Sequence, residues 1–220
     1  MSGAGTPLSG IGMTSDRTRL RMVEALRRDG ITDERVLGAM LEIPRHHFVE
    51  EGIASRAYED VALPIGHGQT ISSPTIVAHM TQLLFEGQPA KVLEIGTGCG
   101  YQTAILARLA KEVYTVERIA ALMDKARRHL RDLRFYNIRY KHADGHAGYA
   151  DGGPYDGILM AASATHVPEA LKQQLAVGGR MVLPVGTEDQ WLYVVDRKES
   201  GFVEQKRDAV RFVPLLPGLA

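Results

Sequence analysis

Glu94, Gly96, Gly98, Gly100 and Glu117 fall within one stretch, 91–117, reading KVLEIGTGCGYQTAILARLAKEVYTVE, and their types and spacing suit a nucleoside-type ligand. Glycines at three alternate positions let the backbone turn sharply and approach a ligand without Cβ clashes. The apolar run Val92, Leu93, Ile95 predicts a strand buried on both faces. The helix expected over 101–110 directs its N-terminal amides at the ligand. Val113 to Val116 rebuild a strand, so Glu117 stands at a carboxyl end, where a carboxylate can accept hydrogen bonds from both ribose hydroxyls.

The dinucleotide fingerprint needs glycine at the sixth position of GxGxxG, and that position is Tyr101. The spacing here is GxGxG, with Glu94 two residues before the first glycine. S-adenosylmethionine carries no phosphate and presents an ammonium that a nearby carboxylate favours, so Glu94 suits it, directly or through water. A tight turn with no ligand would use the same glycines, but the strand-turn-helix-strand context favours a cofactor.

Other groups fall near the same crevice. Asp144, with Gly145, follows a predicted strand and could accept a hydrogen bond from an adenine amino group; an Asp-Gly turn with local causes explains the pair equally. Thr70, Ile71, Ser72, Ser73 and Pro74 set two hydroxyls at a predicted helix N-terminus, where an anion such as a substrate carboxylate is favoured. On the pattern alone, both serines could instead cap that helix. The eight histidines give no metal site: His142 and His146 are four apart, but Asp144 and Gly145 break the helix that would align them. Cys99, beside a helix N-terminus that could lower its pKa, is better explained as a small filler. No GxSxG elbow is present.

The elements that must position these residues follow from composition and periodicity. A chain of 220 residues suits one α/β domain with a modest N-terminal addition. Lys plus Arg and Asp plus Glu are 26 each, so no global field recruits nucleic acid or an anionic membrane. One cysteine excludes an intramolecular disulfide, and the expected compartment is the cytoplasm. No stretch reaches the roughly 20 apolar residues of a membrane span. Residues 1–15 are expected to be a flexible leader. Helices are predicted from Leu20 to a stop at Gly30, from Thr32 to before Pro44, and over 74–85, 120–133 and 168–175. Strands are predicted over 138–143, 157–162, 180–185, 191–197 and 210–213. This alternation predicts an α/β, Rossmann-like doubly wound, mostly parallel sheet with N-terminal helices and an antiparallel C-terminal part. The expected division is a helical and substrate-loop part over 16–88 and a cofactor-binding core over 89–220.

Taken together, the chain resembles the protein L-isoaspartate (D-aspartate) O-methyltransferase family from about Leu20 to Pro214. The glycine motif alone would indicate a class I methyltransferase. ALPIGHGQTISSP, over 62–74, narrows it, and VLEIGTGCGYQTAILA, HADG, PYDGILMAAS, GGRMVLPVG and VRFVPL follow in the family's order. The resemblance implies that Ser72 is the active-site serine, that Thr70, Ile71, Gly96, Gly98 and Gly100 approach the cofactor, that Glu117 holds the ribose, and that Asp144 and Gly145 border the adenine. His67 and Ser73 occupy variable places beside the signature and receive no catalytic role.

The implied activity is methyl transfer from S-adenosylmethionine to the α-carboxylate of isoaspartyl (and D-aspartyl) residues in damaged peptides and proteins, with S-adenosylhomocysteine as product and no metal. The ester then closes to a succinimide that hydrolyses partly to normal aspartyl. The substrate carboxylate, with a pKa of about 3.5, is already ionised at neutral pH, which accounts for the lack of an evident catalytic base. The peptide groove is expected over 53–68 and in the loop after Ala162, including His67 and Ser163. A monomer is expected, although Leu215, Leu216 and Leu219 could support a contact. The alternatives are another class I methyltransferase acting on a small molecule or RNA, and a cofactor-binding interaction protein without catalysis.

Overall fold

Two amphipathic helices lead the chain: α1 (Asp16–Arg28) buries Met22, Val23 and Leu26, and α2 (Glu34–Glu42) buries Val36, Leu37, Ala39 and Met40. The computed structural model describes Gly10 and residues 12–220. Of the expected leader, residues 1–9 and 11 lie outside the described residues; Gly12–Thr14 form one 3-10 turn. Asp33 caps α2 by accepting from the Arg35 N–H.

The segment between α2 and Pro74, which includes the expected peptide groove over 53–68, contains a short antiparallel hairpin, β1 (Leu63–Gly66) and β2 (Gln69–Ile71). Its signal was the alternation of Leu63 and Ile65, buried, with Pro64 and Gly66, exposed. Next come α3 (Pro74–Phe85), β3 (Lys91–Ile95), α4 (Tyr101–Leu109), β4 (Glu112–Glu117), α5 (Ala120–Asp132), β5 (Ile138–His142) and β6 (Tyr155–Met160). The chain closes with α6 (Glu169–Gln174), β7 (Leu175–Val185), β8 (Gln190–Lys198) and β9 (Gly201–Val210).

Seven strands form one sheet in the order β5-β4-β3-β6-β7-β8-β9. The first five are parallel, whereas β8 and β9 join antiparallel. This is the expected α/β fold with an antiparallel C-terminal part. Period-2 alternation divides the core. Val92, Val113, Leu159 and Val182 pack with Met80, Leu84 and Leu106 of α3 and α4, while Leu93, Tyr114, Ile158 and Met181 pack with Leu171 of α6 on the opposite face. Each such fully buried aliphatic side chain contributes about 1.5–3 kcal/mol.

Two strand expectations are corrected. β7 begins at Leu175, five residues before the predicted start, because Leu175 pairs with Tyr155 across an irregular register. The last strand is Gly201–Val210 rather than 210–213. Its polar run, Glu204 to Asp208, is tolerated because it forms an exposed sheet edge, and after Val210 the chain leaves the sheet.

Candidate functional site

The strand order reverses between β3 and β6: the chain proceeds from β3 to β4 and β5 on one side, then returns to β6 on the other. Ligand crevices form outside the carboxyl ends at such a point. Ala161 N–H donates to the Ile95 carbonyl at 2.8 Å and Gly96 N–H to the Val116 carbonyl at 2.8 Å, so the strand ends lie side by side. A cavity opens there, ≈ 590 Å³ with its mouth and adjoining open solvent included. It is bordered by Gly96, Gly98, Glu117, Gly145 and Ala161.

The glycine turn is built for close approach. Gly96, Gly98 and Gly100 have φ of 94°, 55° and 92°. A Cβ on Gly145 would stand 2.6 Å from the Ile95 side chain, so only glycine fits against this floor. Gly100 has a different task from the other two: as the N-cap of α4, it faces Leu130 and Ala126 of α5 and does not border the cavity.

The carboxylates differ in setting. Glu117 accepts from the Gly98 N–H and the Ile119 N–H, both at 2.9 Å, which fixes it at the cavity edge with lone pairs remaining on both oxygens. Glu94 is fully buried beneath the turn, where one oxygen accepts from Thr103 at 2.5 Å and Thr115 at 2.6 Å. Its other oxygen, Oε1, is buried without a partner, and burial pushes the carboxyl up to about 8. Glu94 therefore lies behind the cavity wall. An orphaned buried acceptor, a glycine turn and the Glu117 carboxylate together fit a ligand that carries an ammonium and a ribose.

Asp144 is more occupied than the adenine role requires. Its oxygens accept from the His146 N–H at 2.9 Å and the Gly218 N–H at 2.7 Å. These backbone bonds, Gly218's foremost, and the His146 ring draw its pKa down to about 2. Cys99 is buried, in keeping with a small filler, and burial pushes its thiol up to about 11 rather than down. His142 and His146 part company, the former contacting the Arg118 carbonyl and the latter Asp144. Among the described residues, no group of three or more His, Cys, Asp and Glu could hold a metal ion.

A second cavity adjoins the first and shares Ala161 and Val213 with it. Ser72 borders it with Thr70, Asp60 and Arg211, and also borders a narrower space lined by Ile71, Thr97 and Tyr101. The helix cap belongs to Ser73, whose hydroxyl accepts from the Ile76 N–H. Asp60 takes the Thr75 N–H at 2.8 Å, so the α3 amides expected to face an anion are partly occupied. The Ser72 hydroxyl makes no hydrogen bond among the described residues, and exposed Arg211 has no ion pair there.

Sequence reasoning missed several neighbours. Because side chains alternate along β2, Gln69 borders the Glu117 cavity while Thr70 faces Ser72's. His67 is exposed at the hairpin tip and borders neither cavity. Val213, Pro214, Leu215 and Leu216 wall the Glu117 cavity, and Leu216 keeps 43% of its surface exposed. Ser163 holds that strap: its N–H donates to the Val213 carbonyl, its carbonyl accepts from the Leu215 N–H, and its hydroxyl donates to the Gly186 carbonyl. VRFVPL was visible as a motif, but its position across the strand ends depends on a chain reversal that no local pattern encodes.

The model of the family described as protein-L-isoaspartate(D-aspartate) O-methyltransferase matches residues 17–219. Protein-L-isoaspartate O-methyltransferase from Nitrosomonas eutropha is 60% identical over 213 residues, covering 96% of each chain. The enzyme of that name from Dechloromonas aromatica is 57% identical over 213 residues, covering 96% of this chain and 99% of its own. Among solved structures, the beta-aspartate methyltransferase from Plasmodium falciparum in complex with S-adenosyl-L-homocysteine superposes with a TM-score of 0.80 at 27% identity, covering 90% of this chain and 98% of that one.

Proposed function

The chain belongs to the protein-L-isoaspartate (D-aspartate) O-methyltransferase family, and from that membership we propose how its two adjoining cavities divide the work. It is an S-adenosylmethionine-dependent protein carboxyl methyltransferase that acts on isoaspartyl residues, leading through a succinimide to normal aspartyl. The cavity bordered by Gly96, Gly98, Glu117 and Gly145 holds the nucleoside, with Glu117 accepting from the ribose and Glu94 behind the turn favouring the ammonium. Asp144 and Gly145 border the adenine end, Asp144 through the strap it holds at Gly218. Thr70, Ile71 and Gly100 act at one remove, by shaping the walls and the turn. When bound, S-adenosylmethionine supplies an electrophilic methyl group.

The cavity bordered by Ser72 receives the isoaspartyl carboxylate. The observation that carries this assignment is the Ser72 hydroxyl, without a hydrogen bond among the described residues, in a cavity that shares Ala161 and Val213 with the nucleoside cavity. Ser72 donates to the carboxylate, and Arg211 offsets its charge where Asp60 would oppose it. Positioning of an already ionised carboxylate is the catalytic task, and no residue need remove a proton. Substrates are exposed, flexible segments, because the carboxylate must reach Ser72 on peptide backbone. We read the chain as one domain acting as a monomer; balanced charge supports a chain without nucleic-acid or membrane partners, and the single buried cysteine suits the cytoplasm.

Replacing Ser72 by Ala is expected to lower kcat/KM on an isoaspartyl peptide roughly ten- to a hundredfold, with S-adenosylhomocysteine affinity unchanged. Steady-state kinetics and calorimetry check both halves; unaltered turnover would remove Ser72 from the site.

A further inference from the structure

The ladder between β8 and β9 reaches its last pair at Gln190 and Val210. Beyond it the chain crosses the strand ends, and Phe212 has no strand partner. The Gln190 side chain takes that place. Its amide oxygen accepts from the Phe212 N–H at 2.6 Å, and its amide nitrogen donates to the Phe212 carbonyl at 3.1 Å and the Thr187 carbonyl at 3.2 Å. One side-chain amide therefore makes both bonds of an antiparallel residue pair.

Two separate anchors hold the strap. Gln190 fixes Phe212, which borders the Ser72 cavity beside Arg211. The Ser163 backbone fixes Val213, which both cavities share, and Leu215, which borders the Glu117 cavity, at 2.8 Å and 2.7 Å. We propose that Gln190 is a positioning residue for the peptide substrate: it sets Phe212 and Arg211 against Ser72 and leaves the cofactor cavity to Ser163. The inference rests on the isoaspartyl methyltransferase reading.

The amide chemistry provides a test that general loosening of the fold would not mimic. Leucine at this position offers neither bond. An ionised glutamate keeps an acceptor for the Phe212 N–H but sets a negative oxygen against the Phe212 carbonyl; protonated, it donates there and restores both bonds. KM for an isoaspartyl peptide at saturating S-adenosylmethionine, and the dissociation constant of S-adenosylhomocysteine, are measured for the parent, Gln190→Leu and Gln190→Glu at pH 7.5 and 5.0. Both variants are expected to show a KM raised about tenfold at pH 7.5, with S-adenosylhomocysteine affinity within about twofold of the parent. At pH 5.0 the Glu variant, unlike the Leu variant, should regain at least about threefold of its deficit relative to the parent. An unchanged KM in both variants, a cofactor affinity that falls as far as KM rises, or equal pH behaviour of the two variants would overturn the inference. A parent that does not methylate the peptide overturns the isoaspartyl reading and this inference with it; an active parent with any of those three results overturns the inference alone.

Discussion

Glu94 and Glu117 stand in one strand-turn-helix-strand unit, yet their settings give them different work. Glu117 is held by two backbone amides at the cavity edge, whereas Glu94 is buried with one oxygen unpartnered and its pKa raised to about 8. This burial-raised pKa favours the protonated carboxyl near neutral pH. A bound ammonium draws that pKa down, so binding of S-adenosylhomocysteine at pH 7 is expected to release up to about one proton. Calorimetry in buffers of different ionisation enthalpy reads this directly, and Glu94→Gln should abolish the release and weaken binding. Identical proton release by that variant would assign it elsewhere. Gly145→Ala, with its Cβ 2.6 Å from Ile95, should cost about 1–3 kcal/mol in folding and lower S-adenosylhomocysteine affinity; urea unfolding and calorimetry check the pair. Gly96, Gly98 and Glu117 were legible because turn geometry and strand ends restrict residue type locally. The pairing of Glu94 was not, because its hydroxyl partners lie 9 and 21 residues away.

The strap over 211–220 is the element that completes both cavities. Ser163, Gln190 and Asp144 hold it at Val213, Phe212 and Gly218, and Ala120 and Arg118 pair with Ala220 at its end. Asp144 links the strap to pH. Its folded pKa, about 2, lies below the ordinary 3.8, so its contribution is present above about pH 3.8 and is lost as pH falls toward 2. Asp144→Ala should therefore lower unfolding free energy by roughly 1 kcal/mol at pH 7, and the gap from the parent should close between pH 3.8 and 2. Urea titrations across that range test it, and a gap that persists at pH 2 would contradict the assignment. Helices and parallel strands were legible from apolar periodicity. β9 and the strap were not, because a polar edge strand has no buried face to mark it, and the strap's hydrogen bonds come from distant side chains and loops.

At the scale of the molecule, the parallel sheet brings the Glu117 cavity, proposed for the methyl donor, and the Ser72 cavity, proposed for the carboxylate, to one edge, with Ala161 and Val213 shared between them. Equal numbers of acidic and basic residues leave recognition to these local groups rather than to a long-range field. The doubly wound fold alone would serve many methyl acceptors, and on the proposed assignment the residues around Ser72 set the substrate. Discrimination therefore depends on where the carboxylate lies along the peptide backbone. The most direct test supplies methyl-labelled S-adenosylmethionine with two peptides of the same sequence, one containing isoaspartyl and the other normal aspartyl. Label is expected in the isoaspartyl peptide, with at most background in its partner; equal labelling of the two, or labelling of neither by folded protein that binds S-adenosylhomocysteine, would contradict the account.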